Sequence, residues 1–186
     1  PFQSPQVPIY FGGISSAALA VGARHADVYA LFGESRANIS QLIASINRLA
    51  ASHQRTPKYQ LSFRPIIAST EAAAWQKAET ILTAVKPVQA RPAAPEAETA
   101  KRLLRLSAQG DILDERLWTP IAAAAGGSGN TTALVGTAEQ VADAIIAYYH
   151  LGVDGVLIRG FDPFNDAIEY GKELIPRIKA GTEENR

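Results

Sequence analysis

Thr137-Ala138-Glu139-Gln140-Val141-Ala142-Asp143-Ala144-Ile145-Ile146-Ala147-Tyr148-Tyr149-His150-Leu151-Gly152-Val153-Asp154-Gly155-Val156-Leu157-Ile158-Arg159-Gly160 reads as one helix followed by one strand. Thr137 with Gln140 three positions on is a capping box, in which each side chain satisfies a backbone N–H that the first helical turn leaves open. Val141, Ile145, Tyr148 and then Leu151 or Gly152 recur at helical spacing and carry the apolar stripe. Gly155 to Gly160 is then a short apolar run of the kind found in buried parallel strands.

The same alternation runs back toward the N-terminus. Val7-Pro8-Ile9-Tyr10-Phe11 predicts a first strand buried on both faces, held to an early-strand position by its prolines and closed by Gly12-Gly13. Ser15 or Ser16 caps a helix ending near His25, and Val28 to Phe32 is a second buried strand closed by Gly33. Ser35 caps a helix whose stripe is Ile39, Leu42, Ile43, Ile46 and Leu49. Gln60 to Ala68 is a third strand, and Ser69 or Thr70 opens a helix through Trp75, Ala78, Ile81 and Leu82. Residues 87–99 carry Pro87, Pro92 and Pro95 among alanines and glutamates, which predicts extended, mobile backbone, an insertion or a lid. Short helices follow around Leu103 to Leu106 and from Pro120 to the glycine run Gly126-Gly127-Ser128-Gly129, and Ile168, Leu174 and Ile178 lie on a last helix.

Four strands alternating with helices predict a parallel sheet, either open and doubly wound or closed as a barrel. A dinucleotide fold wants G-x-G-x-x-G after its first strand, and Gly12-Gly13-Ile14-Ser15-Ser16 does not supply it. A complete (β/α)8 barrel takes about 250 residues, so four units in 186 residues make half of one. The start at Pro1, with no Met anywhere, reads as a piece of something longer.

Composition narrows the chemistry. Lys+Arg 18 balance Asp+Glu 18, which argues against nucleic acid or an anionic membrane as partner. No apolar run approaches the roughly 20 residues of a spanning helix and no signal pattern opens the chain, so a cytoplasmic protein is expected. Without cysteine there is no disulfide, thiolate metal site or cysteine nucleophile, and redox chemistry needs a bound cofactor. His25, His53 and His150 are not spaced as a metal site, and none is expected.

An ordered set of segments resembles the bacterial luciferase-like, flavin-dependent monooxygenases, in particular the alkanesulfonate monooxygenase branch. It comprises Pro8 to Gly13 with Ser15-Ser16, Ala23-Arg24-His25-Ala26-Asp27-Val28-Tyr29, Phe32-Gly33-Glu34, Phe63-Arg64, Thr132 to Thr137, and Gly152-Val153-Asp154-Gly155. The resemblance runs from about Pro5 to Ala180 and implies an α/β fold, a luciferase-like (β/α)8 TIM barrel. This chain would supply its C-terminal half, the last four βα units as one domain over residues 1–186, with residues 87–131 as an insertion or mobile lid. It further implies reduced FMN supplied by a separate flavin reductase, oxygen and a small organosulfur substrate, with carbon–sulfur cleavage to aldehyde and sulfite. A homo-oligomer or a completing N-terminal half is the expected partner. The alternative is a non-catalytic flavin-binding or truncated barrel protein that needs a partner chain.

Residue by residue, the resemblance places the FMN phosphate near Gly12, Gly13, Ser15 and Ser16, between a strand end and a helix N-terminus where free N–H groups and hydroxyls bind phosphate. Gly160 joins this cofactor set. Arg64, on a buried strand, needs an anion or an ion pair, to Asp27 or Glu34 for example; the resemblance makes it the catalytic and substrate-binding arginine, with Phe32 and Phe161 beside the substrate. Glu34 reads more readily as structural. The chain departs from the branch at Ile66 in place of a histidine, at Phe161 in place of a tyrosine, and at Ala122 to Ala125, which lead into Gly126 without an arginine. These departures point to a substrate other than a simple alkanesulfonate, to an altered task for Arg159, or to a copy free of catalytic constraint.

Overall fold

The computed structural model describes residues 2–85, 96–127 and 132–183, so most of the proline-rich segment and the centre of the glycine-rich loop lie outside the described residues. The elements run β1 (Tyr10–Gly12), α1 (Ser16–His25), β2 (Val28–Phe32), α2 (Arg36–Ala51), β3 (Lys58–Ile67), α3 (Glu71–Val85), α4 (Glu98–Ser107), β4 (Ile112–Leu113), β5 (Leu117–Trp118), α5 (Pro120–Ala124), β6 (Ala133–Gly136), α6 (Ala138–Tyr149), β7 (Gly155–Ile158), α7 (Pro163–Glu169), a π-helical turn (Tyr170–Leu174) and α8 (Ile175–Glu183).

The long strand β3 organises both parts of the sheet. Its first half pairs in parallel with β2 on one side (Ala30↔Gln60, Phe32↔Ser62) and with β7 on the other (Gln60↔Gly155, Ser62↔Leu157), while β1 extends the same sheet beyond β2 (Gly12↔Ala30). The four expected strands thus form one curled parallel sheet, half of a barrel. The second half of β3 pairs with β6 (Arg64↔Ala133, Ile67↔Gly136), which carries the β5 and β4 hairpin. The β5–β6 and β4–β5 pairings are antiparallel, which corrects the expectation of an all-parallel sheet. These strands have two to four residues, too short to leave a periodic signal beside proline and glycine.

Local signals act as expected at the helix starts. Ser15 Oγ accepts from Ala18 N at 3.2 Å, Thr70 Oγ1 accepts from Ala73 N at 3.2 Å, and both bonds of the Thr137–Gln140 box are made, at 2.9 and 3.3 Å. Ile39, Leu42, Ile43 and Ile46 are buried, but Leu49 is 40% exposed, because Ala50 takes the inward position of that turn.

The main core lies between the sheet's convex face and its helices: Tyr29, Leu31, Tyr59, Leu61 and Phe63 from the strands meet Ile39, Ile46, Ile145 and Tyr148 from α2 and α6. A second cluster joins Ile66, Val135 and Trp118 to Ala74, Ala78 and Leu82 of α3. Along β2 and β3 the alternate residues Val28, Ala30, Phe32 and Gln60, Ser62, Arg64 are only partly covered, and Tyr10 and Leu157 are 60% and 47% exposed. The expected strands buried on both faces therefore become strands buried on one, since helices cover only the convex side of a curled parallel sheet. The first strand also starts late. Pro8 lacks an N–H for the ladder, and Ile9 instead donates to Asp27 Oδ2 and accepts from Asp27 N and Val28 N.

Candidate active-site cavity

Parallel pairing sends the C-terminal ends of β1, β2, β3 and β7 to one rim, where a cavity of about 540 Å³ opens. Gly12, Gly13 and Ile14 wall it from β1, Ala30 to Phe32 and Glu34 from β2 and its loop, Ser62 from β3, Leu157 and Arg159 from β7, and Thr99 from α4. Its surface is chiefly apolar.

The β1–α1 turn is shaped by close contacts. Gly13 has φ +146°, and a Cβ there would stand 2.8 Å from the Ala18 Cβ. Tyr29 Oη donates to the Gly13 carbonyl at 2.7 Å, and burial pushes its phenol up to about 12, so this bond keeps its proton at neutral pH. Phe11 meets the Tyr29 ring edge-on with centroids 5.8 Å apart. Ser15, Ser16 and Ala17 are exposed at the start of α1, whose first turn holds no acidic residue. Since Ser15 Oγ is spent on the cap, the groups left for an anion are the first-turn amides and the Ser16 hydroxyl. The turn fits a phosphate: its donors are exposed, it has no carboxylate, and glycine lets the backbone come close.

Glu34 is buried at 4% exposure and is held by Arg102 Nε at 2.5 and 2.8 Å and by Asn38 Nδ2 at 3.0 Å. Its backbone carbonyl accepts from Tyr148 Oη at 2.7 Å. It is a strut that ties α4, and with it Thr99, to the rim of the half-barrel. Asp27 in turn pairs with Arg55 at 2.7 Å, so neither carboxylate takes Arg64.

Arg64 lies on the second half of β3 and is half-buried. Its Nη1 donates to the Gly160 carbonyl at 3.0 Å, and its guanidinium sits 5.0 Å from the centre of the Phe161 ring, a cation–π contact. Burial first, and the Arg159 charge second, hold its pKa below the ordinary value. The loop that supplies Gly160 and Phe161 is wrapped on Asp166, a 4%-exposed carboxylate that accepts from Phe161 N at 2.8 Å and Asp162 N at 3.0 Å and meets Lys77 Nζ at 3.3 Å. A Cβ on Gly160 would stand 2.3 Å from the Asp166 Cβ, so glycine is required there.

The structure therefore divides the expected site residues. Gly12, Gly13 and Phe32 line the cavity, Ser15 and Ser16 follow at the next helix start, and Arg64, Phe161 and Gly160 form a second group on the rim around Asp166. Ile66 is buried in the second core cluster. Arg102 and the Lys77 contact of Asp166 had no sequence signal, because their partners stand 68 and 89 positions away. No cluster of three metal-ligating side chains occurs among the described residues. No helix among them is long and apolar enough to cross a membrane.

Over residues 1–155 the chain matches the luciferase-like monooxygenase family and belongs to it. The same fold occurs in riboflavin lyase RcaE, solved with modified FMN and the substrate riboflavin (TM-score 0.69, 21% identity), of which the match covers 92% of this chain and 42% of that one. It occurs also in DmoA from Hyphomicrobium sulfonivorans (TM-score 0.68, 17% identity, 92% and 41%). EDTA monooxygenase EmoA from Chelativorans sp. BNC1 is similar again (TM-score 0.66, 18% identity, 92% and 44%). The chain thus spans less than half the length of these proteins.

Proposed function

We propose that this chain is the C-terminal half of a flavin-dependent monooxygenase barrel, and that it binds reduced FMN and an organosulfur substrate at the rim of its half-barrel. The observation that carries this reading is the cavity at the strand ends, walled by the phosphate-ready turn from Gly12 to Ser16 on one side and by an apolar floor on the other. The rim where parallel βα loops converge is where barrel enzymes place their chemistry.

In this reading Gly12, Gly13 and Ser16 hold the FMN phosphate with the amides of the first α1 turn, and Ser15 keeps that turn in place. Reduced FMN, brought by a separate reductase, supplies the electrons with which oxygen is activated. Phe32 and Leu157 give the substrate an apolar bed. Arg64, held by Gly160 and Phe161, presents a positive charge at the rim, where negative charge develops during oxygen transfer. The Glu34–Arg102 strut holds α4 over the opening. A partner that completes the barrel, either four further βα units or a second chain supplying them, contributes the remaining loops.

An organosulfur substrate such as an alkanesulfonate, cleaved to aldehyde and sulfite, fits the combination of apolar floor and cationic rim. The test supplies the chain with a flavin reductase, NADH, FMN, air and octane-1-sulfonate and measures sulfite. Sulfite release that needs all components supports the proposal. Flavin binding without sulfite or any oxidised product, with the completing barrel units also supplied, supports a non-catalytic flavin-binding barrel instead.

A further inference from the structure

The cavity contains one cation that the site described so far does not use. Arg159 follows β7 directly, is exposed, and lines the cavity two positions after Leu157 on the same strand face. It forms no ion pair with any described residue, whereas Arg36, Arg55, Lys77, Arg102, Arg116 and Arg177 each meet a carboxylate. The cavity's carboxylate, Glu34, is neutralised by its two contacts with Arg102. The lining thus carries a net positive charge centred on Arg159.

A second cation stands close by. Arg159 N donates to the Phe63 carbonyl at 3.1 Å, which sets Arg159 beside Arg64 on strands about 4.8 Å apart. The two cations repel, and the Arg159 charge lowers the Arg64 pKa after the larger effect of burial. Their places differ: Arg64 is directed to the Gly160 carbonyl and the Phe161 ring, while Arg159 lines the cavity together with Leu157, Phe32 and Ala30. A chiefly apolar cavity of about 540 Å³ whose lining includes Arg159 as its one cationic residue matches a ligand with a hydrocarbon body and a single anionic head.

We propose that Arg159 is the anion-recognition and specificity-determining residue of this cavity, and that its ligand is an amphiphilic organic oxyanion whose sulfonate or carboxylate head pairs with the guanidinium. This rests on reading the cavity as the substrate site. Arg64 is then left to the rim, and the head group is read by the residue that directly follows β7.

Calorimetric titration of the chain, without flavin or turnover, separates this inference from the proposed reaction. Octane-1-sulfonate and its neutral isostere methyl octyl sulfone are compared on the unaltered chain, Arg159→Met, Arg159→Lys and the surface control Arg48→Met, with FMN and riboflavin as a second pair. A charge-assisted pair in a cavity gives about tenfold or more, so the unaltered chain is expected to prefer the sulfonate by at least that factor. Arg159→Met removes the preference and leaves sulfone binding within about twofold, Arg159→Lys keeps part of it, and Arg48→Met keeps all of it. The FMN to riboflavin ratio stays the same in every variant. Failure of the unaltered chain to prefer or to bind the sulfonate, or a preference that survives Arg159→Met, would overturn the inference. So would loss of the FMN preference with the sulfonate preference intact, since Arg159 would then serve the flavin phosphate. A sulfonate preference that depends on Arg159, with no sulfite formed even when the completing barrel units are supplied, would leave this inference standing and refute the monooxygenase reading.

Discussion

Replacing Asp166 by alanine should unfasten the rim loop, and its cost follows from the geometry. The carboxylate is 4% exposed and accepts two backbone N–H groups, from Phe161 at 2.8 Å and Asp162 at 3.0 Å. A hydrogen bond to a charged group is worth about 1.5–3 kcal/mol. Asp162 is exposed and Phe161 half-buried, so water recovers part of both amides and the lower end applies, about 3 kcal/mol together. The Lys77 contact at 3.3 Å adds less than about 1 kcal/mol, because that ammonium is 37% exposed. With a urea slope of about 2 kcal/mol/M, the midpoint should fall by about 1.5 M. Asp166→Asn, which keeps an acceptor but not the charge, should lose about half as much, and Lys77→Met less than about 0.5 M by the same slope. Urea denaturation followed by far-UV circular dichroism measures all three. A fall of less than about 0.3 M for Asp166→Ala would refute the view that this carboxylate organises the loop.

Other consequences are equally specific. Gly33→Ala should destabilise by about 2 kcal/mol, read from the urea midpoint, since its Cβ would fall 2.1 Å from the Phe63 ring within a packed core. Glu34→Gln should raise amide hydrogen exchange along α4 and leave α6 unchanged, because the Arg102 contacts at 2.5 and 2.8 Å tie that helix to the loop after β2. Glu71 accepts from Arg116, Gln140 and Trp75, in that order of effect, and these bonds hold its carboxyl down to about 2. A carboxylate whose folded pKa lies below the unfolded value stabilises above about pH 4.5 and loses that contribution as pH falls toward 2. Urea midpoints across that window should therefore fall more steeply for the unaltered chain than for Glu71→Gln.

The half-barrel was legible where apolar runs alternate with capped helices, because those signals are local: Thr137 with Gln140, Ser15, Ser35, and the stripe from Ile39 to Ile46. The hairpin of β4 and β5 was not, since strands of two residues are held by their pairings, β4 on β5 and β5 on β6, and not by their own pattern. Part of the site was legible for a different reason. Gly12, Gly13 and Phe32 sit at strand ends, and strand ends in a parallel fold share one rim. What Arg64 would bind could not be read, because its contacts, the Gly160 carbonyl and the Phe161 ring, lie 96 and 97 positions away and are fixed by Asp166. Strand burial was overestimated by the same limit: apolar runs such as Val28 to Phe32 do not report which face of a sheet its helices cover.

The most direct measurement is an anaerobic titration of the chain with reduced FMN, followed by flavin and tryptophan fluorescence, beside the same titration with reduced riboflavin and with Gly13→Val. A half-barrel that holds the flavin phosphate at the Gly12 to Ser16 turn predicts saturable binding of FMN. It also predicts affinity for riboflavin weaker by about tenfold, as expected for loss of charge-assisted phosphate bonds, and the same loss of FMN in the valine variant, whose Cβ would meet Ala18 at 2.8 Å. Equal affinity for FMN and riboflavin, no saturation, or FMN binding untouched by Gly13→Val would contradict it.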